Sequence, residues 1–338
     1  MKSRTLPLLA ALAALATTAA NARGEIRIVG SSTVYPFSTV VAEQFGKKTD
    51  NPTPVVESTG SGGGFKLFCA GIGAEHPDIT NSSRRMKQSE YEMCRNNGVT
   101  DIIEVKVGFD GIVIGNAMDA PVFDLTRKDL YRALAKDVAQ YGRMAPNAFE
   151  TWDQVSPALP VQPIEVLGPP PTSGTRDAFE ELAIQKGARD AGLEKDEAKK
   201  VEIRDDGAYV ESGENDNLIV SKLEADPAKI GVFGFSFLDQ NADRIKGARI
   251  EGVEPTFENI ASGEYPVSRS LWFYVKKPHI GVIPGIEEYV EEFIGDAAIG
   301  EDGYAVEKGL IPLDDMERET FASNARNQVV MTGKEGLK

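Results

Sequence analysis

Three short segments of the chain combine glycines with serine and threonine hydroxyls immediately before a helix-like run. They are residues 30–36 (GSSTVYP), 58–66 (STGSGGGFK) and 171–177 (PTSGTRD). The first turn of a helix has backbone N–H groups without intrahelical partners, and Ser or Thr side chains add donors that carry no charge. Three such segments around one pocket would supply the donors that a buried oxyanion needs. The pattern therefore predicts a site for a small anion lined by helix starts.

Each segment also has a purely structural interpretation. Ser32 or Thr33 ahead of Pro36, and Ser173 ahead of the third helix, would serve as N-caps without any ligand. The glycine run 60–64 is harder to explain in this way, because consecutive glycines cost backbone entropy and are usually kept where something approaches the backbone closely. The presence of all three segments in one chain favours the binding interpretation.

The first 22 residues have the pattern of a cleaved secretory signal. Lys2 and Arg4 precede an apolar stretch at 6–16, and the small-x-small triplet at 20–22 predicts cleavage before Arg23. We therefore expect a soluble protein exported to the periplasm. Without Lys2 and Arg4, the 37 basic residues fall to 35 against 52 acidic ones, a formal charge of −17. Such a surface repels nucleic acid, so no nucleic-acid partner is expected.

Cys69 and Cys94 are the only cysteines of the chain. An even count in an exported protein predicts that they form a disulfide. The alternative is a pair of buried reduced thiols. Since no histidine lies near them in the sequence, we expect no metal site, and nothing in the sequence indicates a cofactor.

Strand-like runs alternate with helix-like runs along the chain, which indicates an α/β fold with mainly parallel strands. Two long β-rich runs, near residues 105–115 and 268–276, flank a central block. We expect the strand within the second run, at 271–275, to pair with residues 112–114.

We interpret the two long runs as crossovers between two lobes. Lobe I is then discontinuous, with residues 23–111 and 269–338, and lobe II comprises residues 112–268. Ligands of such sheets bind at the carboxyl ends of strands, which is where the three segments lie. We therefore expect the anion site in the cleft between the lobes.

Standard signatures of nucleotide sites and hydrolases are missing from the glycine-rich segments. The run from Gly60 lacks the Gly-Lys-Ser/Thr ending of a P-loop, and Ser61 has no GxSxG context. An exported phosphatase with Ser61 or Ser173 as nucleophile remains an alternative of a different class. It is disfavoured because His76 and His279 are the only histidines, and an unactivated serine is a weak nucleophile.

The sequence resembles the periplasmic phosphate-binding proteins of Pst-type ABC importers, which are type II substrate-binding proteins. The motifs that carry this resemblance occur in the same order over most of the mature chain: GSSTVYP (30–36), GSGGGFK (60–66), SSR (82–84), GFDG (108–111), SGTR (173–176), GENDN (213–217) and IGVFG (230–234). The resemblance implies a two-lobed fold with two hinge crossovers, near 108–111 and 268–271. It also implies inorganic phosphate as ligand, a monomeric receptor and an inner-membrane ABC permease as partner.

The family's ligand contacts come from the first-turn threonine and the next backbone N–H, the second-turn serine, and the Ser-Gly-Thr of the third turn. Carried over, the resemblance implies phosphate contacts by Thr33, Val34, Ser61, Ser173, Gly174 and Thr175. Further candidates beside these positions are Ser32, Gly62, Ser83, Arg84, Arg176 and Asp206.

Two positions depart from the family pattern. Ser83 stands where many members have an aspartate that accepts the ligand's proton, and Pro169 stands where many have an arginine. We expect Arg176 or Arg84 to supply the missing positive charge. Asp206, Asp110 or Asp177 is expected to accept the proton. The departures leave sulfate, molybdate, tungstate or a small phosphonate open as alternative ligands.

Overall fold

The computed structural model describes residues 23–140, 143–171, 173–213, 216–335 and 337. The expected signal segment at 1–22 lies outside these residues. The strands, in chain order, are β1 (Arg27–Gly30), β2 (Val55–Ser58), β3 (Ile79–Ser82), β4 (Ile102–Ala117), β5 (Asp124–Leu125), β6 (Asp137–Gln140), β7 (Arg143–Pro146), β8 (Val166–Gly168), β9 (Tyr209–Glu211), β10 (Ile230–Gly234), β11 (Ile245–Gly247), β12 (Arg249–Ile250) and β13 (Ser268–Lys276).

The helices alternate with these strands, as the sequence predicts. They are α1 (Tyr35–Lys48), α2 (Ser61–Phe68), α3 (Gln88–Asn96), α4 (Arg127–Leu134), α5 (Trp152–Val155), α6 (Gly174–Phe179), α7 (Gln185–Asp190), α8 (Lys195–Ala198), α9 (Asp216–Ala225), α10 (Phe235–Gln240), α11 (Phe257–Ser262), α12 (Ile286–Ile294), α13 (Asp296–Ile299) and α14 (Asp315–Arg326). A π-helical turn, Glu180–Ile184, joins α6 to α7, and a 3₁₀ turn, Lys277–His279, follows β13.

One mixed sheet runs through the molecule in the order β2-β1-β3-β13-β4-β10-β8-β9, with β11 also paired to β4. In the first half, β1 pairs in parallel with β2 and with β3. In the second half, β8 pairs in parallel with β10 and with β9. The α/β class is therefore confirmed, and each half is a small parallel sheet joined to the other through the long strands β4 and β13.

Strand β4 belongs to both halves of the sheet. Residues Ile102 to Gly111 pair antiparallel with β13, whereas Ile112 to Gly115 pair antiparallel with β10. Our expectation that residues 271–275 pair with 112–114 is wrong: Leu271 to Val275 pair with the first part of β4, at residues 103–108. Residues 112–115 pair with β10 instead.

Separate hydrophobic cores form on the two halves of the sheet. Trp152, Phe179 and Val232 belong to one buried cluster, and Phe45 and Phe293 belong to another. A smaller cluster beside α2 and α3 contains Cys69 and Cys94, which form the expected disulfide. Each half of the sheet thus packs its helices around a core of its own.

No helix among the residues that the structure describes is long and apolar enough to cross a membrane.

Candidate functional site

The three glycine and hydroxyl segments all lie where a parallel strand ends and a helix begins. Strand β1 leads through the first turn into α1, β2 leads through the second into α2, and β8 leads through the third into α6. Strands β1 and β2 are parallel neighbours, so their turns lie at one edge of the first half of the sheet. Strand β8 belongs to the second half and runs antiparallel to β1 through the order β3-β13-β4-β10, so the third turn approaches from the other half of the molecule.

The first turn is buried, and some of its backbone N–H groups donate hydrogen bonds to atoms of the same turn. Thr33 is only 5% exposed. The Val34 N–H, expected to face the ligand, donates to Ser31 Oγ at 3.3 Å. The Tyr35 N–H donates to the Ser31 carbonyl at 3.0 Å. Of this turn, the Thr33 hydroxyl is therefore better placed than the Val34 N–H to serve a ligand.

The second turn packs against the first through glycine. A Cβ on Gly64 would lie 2.5 Å from Gly30 Cα, which no real side chain tolerates. The close approach expected for the glycine run is thus with another part of the backbone at this position. Gly60 has a φ of 71°, which favours glycine, and α2 begins at Ser61. Gly62 lies in the first turn of that helix with open space beside it.

The Ser61 hydroxyl is held by the segment that follows β3. Its Oγ accepts a hydrogen bond from the Ser83 N–H at 3.1 Å and lies 3.2 Å from Ser83 Oγ. The second turn and the segment after β3 therefore meet through the hydroxyls of Ser61 and Ser83.

The third turn faces the first across the two halves of the molecule. A Cβ on Gly174 would lie 3.6 Å from the Ser32 carbonyl oxygen. The Ser173 hydroxyl accepts a hydrogen bond from the Thr175 N–H at 3.2 Å. Ser173 is therefore the N-cap of α6, which is the structural alternative given for this segment above. The Ser32 hydroxyl faces the Asp177 carboxylate, whose pKa is raised by burial and partly lowered again by that hydroxyl.

Arg269 on β13 connects these segments. Its Nη2 donates to Thr33 Oγ1, and its Nη1 donates to Ser83 Oγ at 3.4 Å. Through Ser83 it is linked to Ser61, so one guanidinium joins the first and second turns. Its side chain is 7% exposed. A guanidinium offers several N–H donors in one plane, which suits recognition of an oxyanion.

Asp110 compensates the buried charge of Arg269. The Arg269 Nε donates to Asp110 Oδ2 at 3.2 Å, and the two residues are direct neighbours in the β4–β13 ladder. Burial raises the pKa of Asp110, and the attraction of Arg269 opposes that increase. A carboxylate held beside a guanidinium can use its other oxygen to accept a hydrogen bond from a protonated ligand.

The two arginines expected to supply charge have partners elsewhere. Arg84 forms a two-pronged ion pair with Glu90, with N–O distances of 2.7 and 2.8 Å. Arg176 donates to Glu180 Oε1 at 2.6 Å and to the Pro169 carbonyl at 3.3 Å. The charge nearest the Thr33 and Ser83 hydroxyls is therefore Arg269 rather than Arg84 or Arg176.

Asp206 is placed away from the turns. It precedes β9, at the amino end of a strand parallel to β8, whereas the third turn follows the carboxyl end of β8. Arg204 holds it through two oxygens at 2.8 and 2.9 Å from Nε, which lowers the pKa of Asp206. The ion pair with Arg204 and the position before β9 therefore do not favour Asp206 as a ligand contact.

Arg269 is a candidate site residue that we did not expect from the sequence. The available signal was an arginine inside a β-rich run at a position expected to be a hinge. The sequence alone could not show that the first part of β4 would pair with β13 and place Arg269 beside Asp110.

A two-lobed α/β fold whose strand-to-helix turns face one another defines the class of substrate-binding proteins. The chain belongs to the PBP superfamily, whose domain model matches residues 15–297.

Several named proteins are similar to this chain. Protein SphX of Synechococcus elongatus is 33% identical over 73% of this chain and 67% of its own length. The phosphate-binding protein PstS of Staphylococcus saprophyticus is 28% identical over 81% of this chain and 76% of its own length.

Solved structures show the same fold. A crystal structure described as a possible phosphate binding protein from Planctomyces limnophilus has a TM-score of 0.74 and 28% identity, and the match covers 90% of this chain and 99% of that one. An ABC-type phosphate transport receptor from Vibrio cholerae has a TM-score of 0.56 at 23% identity, with 86% of this chain and 100% of that one covered.

Proposed function

We propose that this protein is the periplasmic receptor of an ABC importer, which captures inorganic phosphate between its lobes and delivers it to a membrane permease. The observation that carries the proposal is the convergence of Thr33, Ser83 and, through Ser83, Ser61 on the buried guanidinium of Arg269. The similarity to proteins named for phosphate binding and phosphate transport supports the choice of ligand.

The ligand set that we propose combines uncharged and charged donors. Thr33, Ser61 and Ser83 contribute hydroxyls, the third turn contributes Gly174 and Thr175, and Arg269 contributes the positive charge. A dianion is costly to bury without compensation, and charge-assisted hydrogen bonds are roughly twice as strong as neutral ones. Arg269 therefore supplies the charge-assisted hydrogen bonds that the hydroxyl groups alone could not provide.

Asp110 is the acid that we propose as acceptor of the ligand's proton. Its Oδ2 accepts from Arg269, and among the contacts of the described residues its Oδ1 has no donor. Because the Asp110 side chain is only 13% exposed, its Oδ1 would remain without a donor beside a fully ionised anion such as sulfate. An anion that leaves a buried polar group without a hydrogen-bond partner binds much more weakly, so this arrangement would disfavour sulfate.

Movement of two lobes about the β4–β13 ladder would close the site. We propose lobe I as residues 23–111 and 269–338, and lobe II as 112–268. In support, one core cluster draws on residues 109–267 with Ile311 and Leu313, and the other two draw on residues between 26 and 331 outside that stretch. The pairing shifts register between Leu271 and Trp272, beside the expected hinge.

The placement of the histidines supports a binding role over hydrolysis. His279 is buried, and its Nδ1 lies 2.6 Å from Asp78 Oδ1 while its Nε2 accepts the Gly73 N–H at 3.2 Å. His76 lies 3.4 Å from a Glu75 carboxylate oxygen. Both imidazoles therefore contact residues outside the three turns. Among the described residues, neither imidazole has a hydrogen bond to Ser61 or Ser173 that would let it act as a base. We propose that the protein is a receptor and not an enzyme.

Calorimetric titration of protein stripped of bound ligand tests the function. We expect saturable binding of one inorganic phosphate per monomer, much weaker binding of sulfate, and compaction in small-angle scattering on adding phosphate. Failure to bind phosphate, or equal affinity for sulfate, would overturn the proposal. Hydrolysis of a chromogenic phosphate ester that is lost in Ser61→Ala would favour the phosphatase instead.

A further inference from the structure

Glu181 contacts the site arginine from the opposite half of the molecule. It lies in the π-helical turn between α6 and α7, and its Oε2 accepts a hydrogen bond from Arg269 Nη1 at 2.8 Å. Its side chain is 60% exposed, whereas that of Arg269 is 7% exposed. A largely exposed carboxylate therefore contacts a buried guanidinium.

The two carboxylates on Arg269 differ in how firmly they are held. Asp110 is its neighbour in the sheet ladder, so the backbone fixes that ion pair. Glu181 approaches from a helix on the other side of the cleft, and only its side chain holds the contact. An anion that needs the Arg269 Nη1 donor must therefore displace Glu181, not Asp110.

A second carboxylate on the same helix face lies close by. Asp177 is one helical turn before Glu181, and it faces both the Ser32 hydroxyl and the Arg269 guanidinium. The helix that follows the third turn thus presents two acidic side chains, four residues apart, to the donors of the first turn and of β13.

We propose that Glu181 is an internal competitor of the ligand, a carboxylate that occupies the Arg269 donor and is displaced by the incoming anion. This inference rests on the proposed function and concerns how the same site sets its affinity. Glu181 returns to water at small cost because it is already largely hydrated. A tetrahedral dianion that also engages the turn hydroxyls can displace it, whereas a simple monoanion such as acetate gains too little to do so.

The matched pair Glu181→Gln and Glu180→Gln tests the proposal. Both variants remove one negative charge from the same helical turn, but Glu180 pairs with Arg176 rather than with Arg269. We expect Glu181→Gln to bind inorganic phosphate roughly 3- to 10-fold more tightly than the parent protein, as expected for loss of an exposed ion pair and of like-charge repulsion. Glu180→Gln should change affinity by less than about 2-fold, since the Arg269 donor is unaltered.

The outcomes separate this inference from the function on which it rests. If the parent protein binds phosphate but Glu181→Gln binds it equally or more weakly, the competitor role is overturned. An equal gain in Glu180→Gln would also overturn it, because the effect would then be general electrostatics. If the parent protein binds no phosphate, the proposed function itself fails. Thermal denaturation of both variants verifies that they fold, as expected for substitutions at partly exposed positions.

Discussion

The guanidinium of Arg269 donates a hydrogen bond to the hydroxyl of Thr33, although the two residues are 236 positions apart in the chain. Arg269 lies on the strand that returns between the lobes, and Thr33 lies in the first strand-to-helix turn. This contact places guanidinium N–H donors among the hydroxyl groups, while the carboxylates of Asp110 and Glu181 balance the charge of Arg269.

Replacing Arg269 by lysine should weaken phosphate binding by roughly 10- to 100-fold, as expected for loss of hydrogen bonds from a planar charged donor. Lysine keeps the positive charge, but its single ammonium group cannot donate hydrogen bonds to Asp110, Ser83 and Thr33 in the geometry of the guanidinium. Calorimetric titration measures the loss, and Arg84→Lys is the matched control because Arg84 pairs with Glu90. Equal losses in the two variants would contradict a special role for Arg269.

Asp110→Asn should reduce the preference for phosphate over sulfate. The asparagine amide can donate to a fully ionised anion, whereas the carboxylate repels it, so sulfate affinity should rise while phosphate affinity falls. A competition titration with both anions gives the ratio directly. Asp177→Asn provides the comparison: if that variant and not Asp110→Asn loses the preference, the proton acceptor is Asp177.

Much of the fold could be predicted from the sequence because local signals were strong. Glycine and hydroxyl residues marked the strand-to-helix turns, and an even cysteine count in an exported chain indicated the disulfide. The site was harder because its charge depends on strand pairing. Arg84 and Arg176 lie close in sequence to the turns, but Glu90 and Glu180 neutralise them locally. Arg269 is distant in sequence and reaches the turns only through the pairing of β13 with β4.

Lys276 should make stability depend on pH in the alkaline range. Its ammonium is buried without a hydrogen-bond partner among the described residues, and burial lowers the pKa of Lys276 to about 8. The unfolded chain holds that proton up to about pH 10.4, so it binds more protons than the folded chain between pH 8 and 10. Stability of the parent protein should therefore rise with pH across this window, by up to about 3 kcal/mol relative to Lys276→Met.

Chemical denaturation of both proteins at several pH values checks this difference. The subtraction removes the contribution of tyrosines and other groups that both proteins share. A constant difference between pH 7 and pH 10 would show that Lys276 is not the titrating group.

Removal of the Cys69–Cys94 disulfide should lower stability without affecting the site. The bond closes a loop with a sequence separation of 25, and the chain-entropy model gives about 3 kcal/mol for a loop of this size. Cys69 follows the far end of α2 from Ser61, so phosphate affinity of the double alanine variant should stay within about 2-fold. Thermal denaturation and titration of that variant measure the two quantities separately. A large loss of affinity with little loss of stability would contradict this assignment.

A crystal structure of the protein grown with inorganic phosphate would show which atoms hold the anion. We expect one phosphate between the lobes, within hydrogen-bonding distance of Thr33, Ser61, Thr175 and Arg269, with the Glu181 carboxylate moved away from the guanidinium. A phosphate bound elsewhere, or hydroxyls of these turns that cannot reach one common centre, would contradict it.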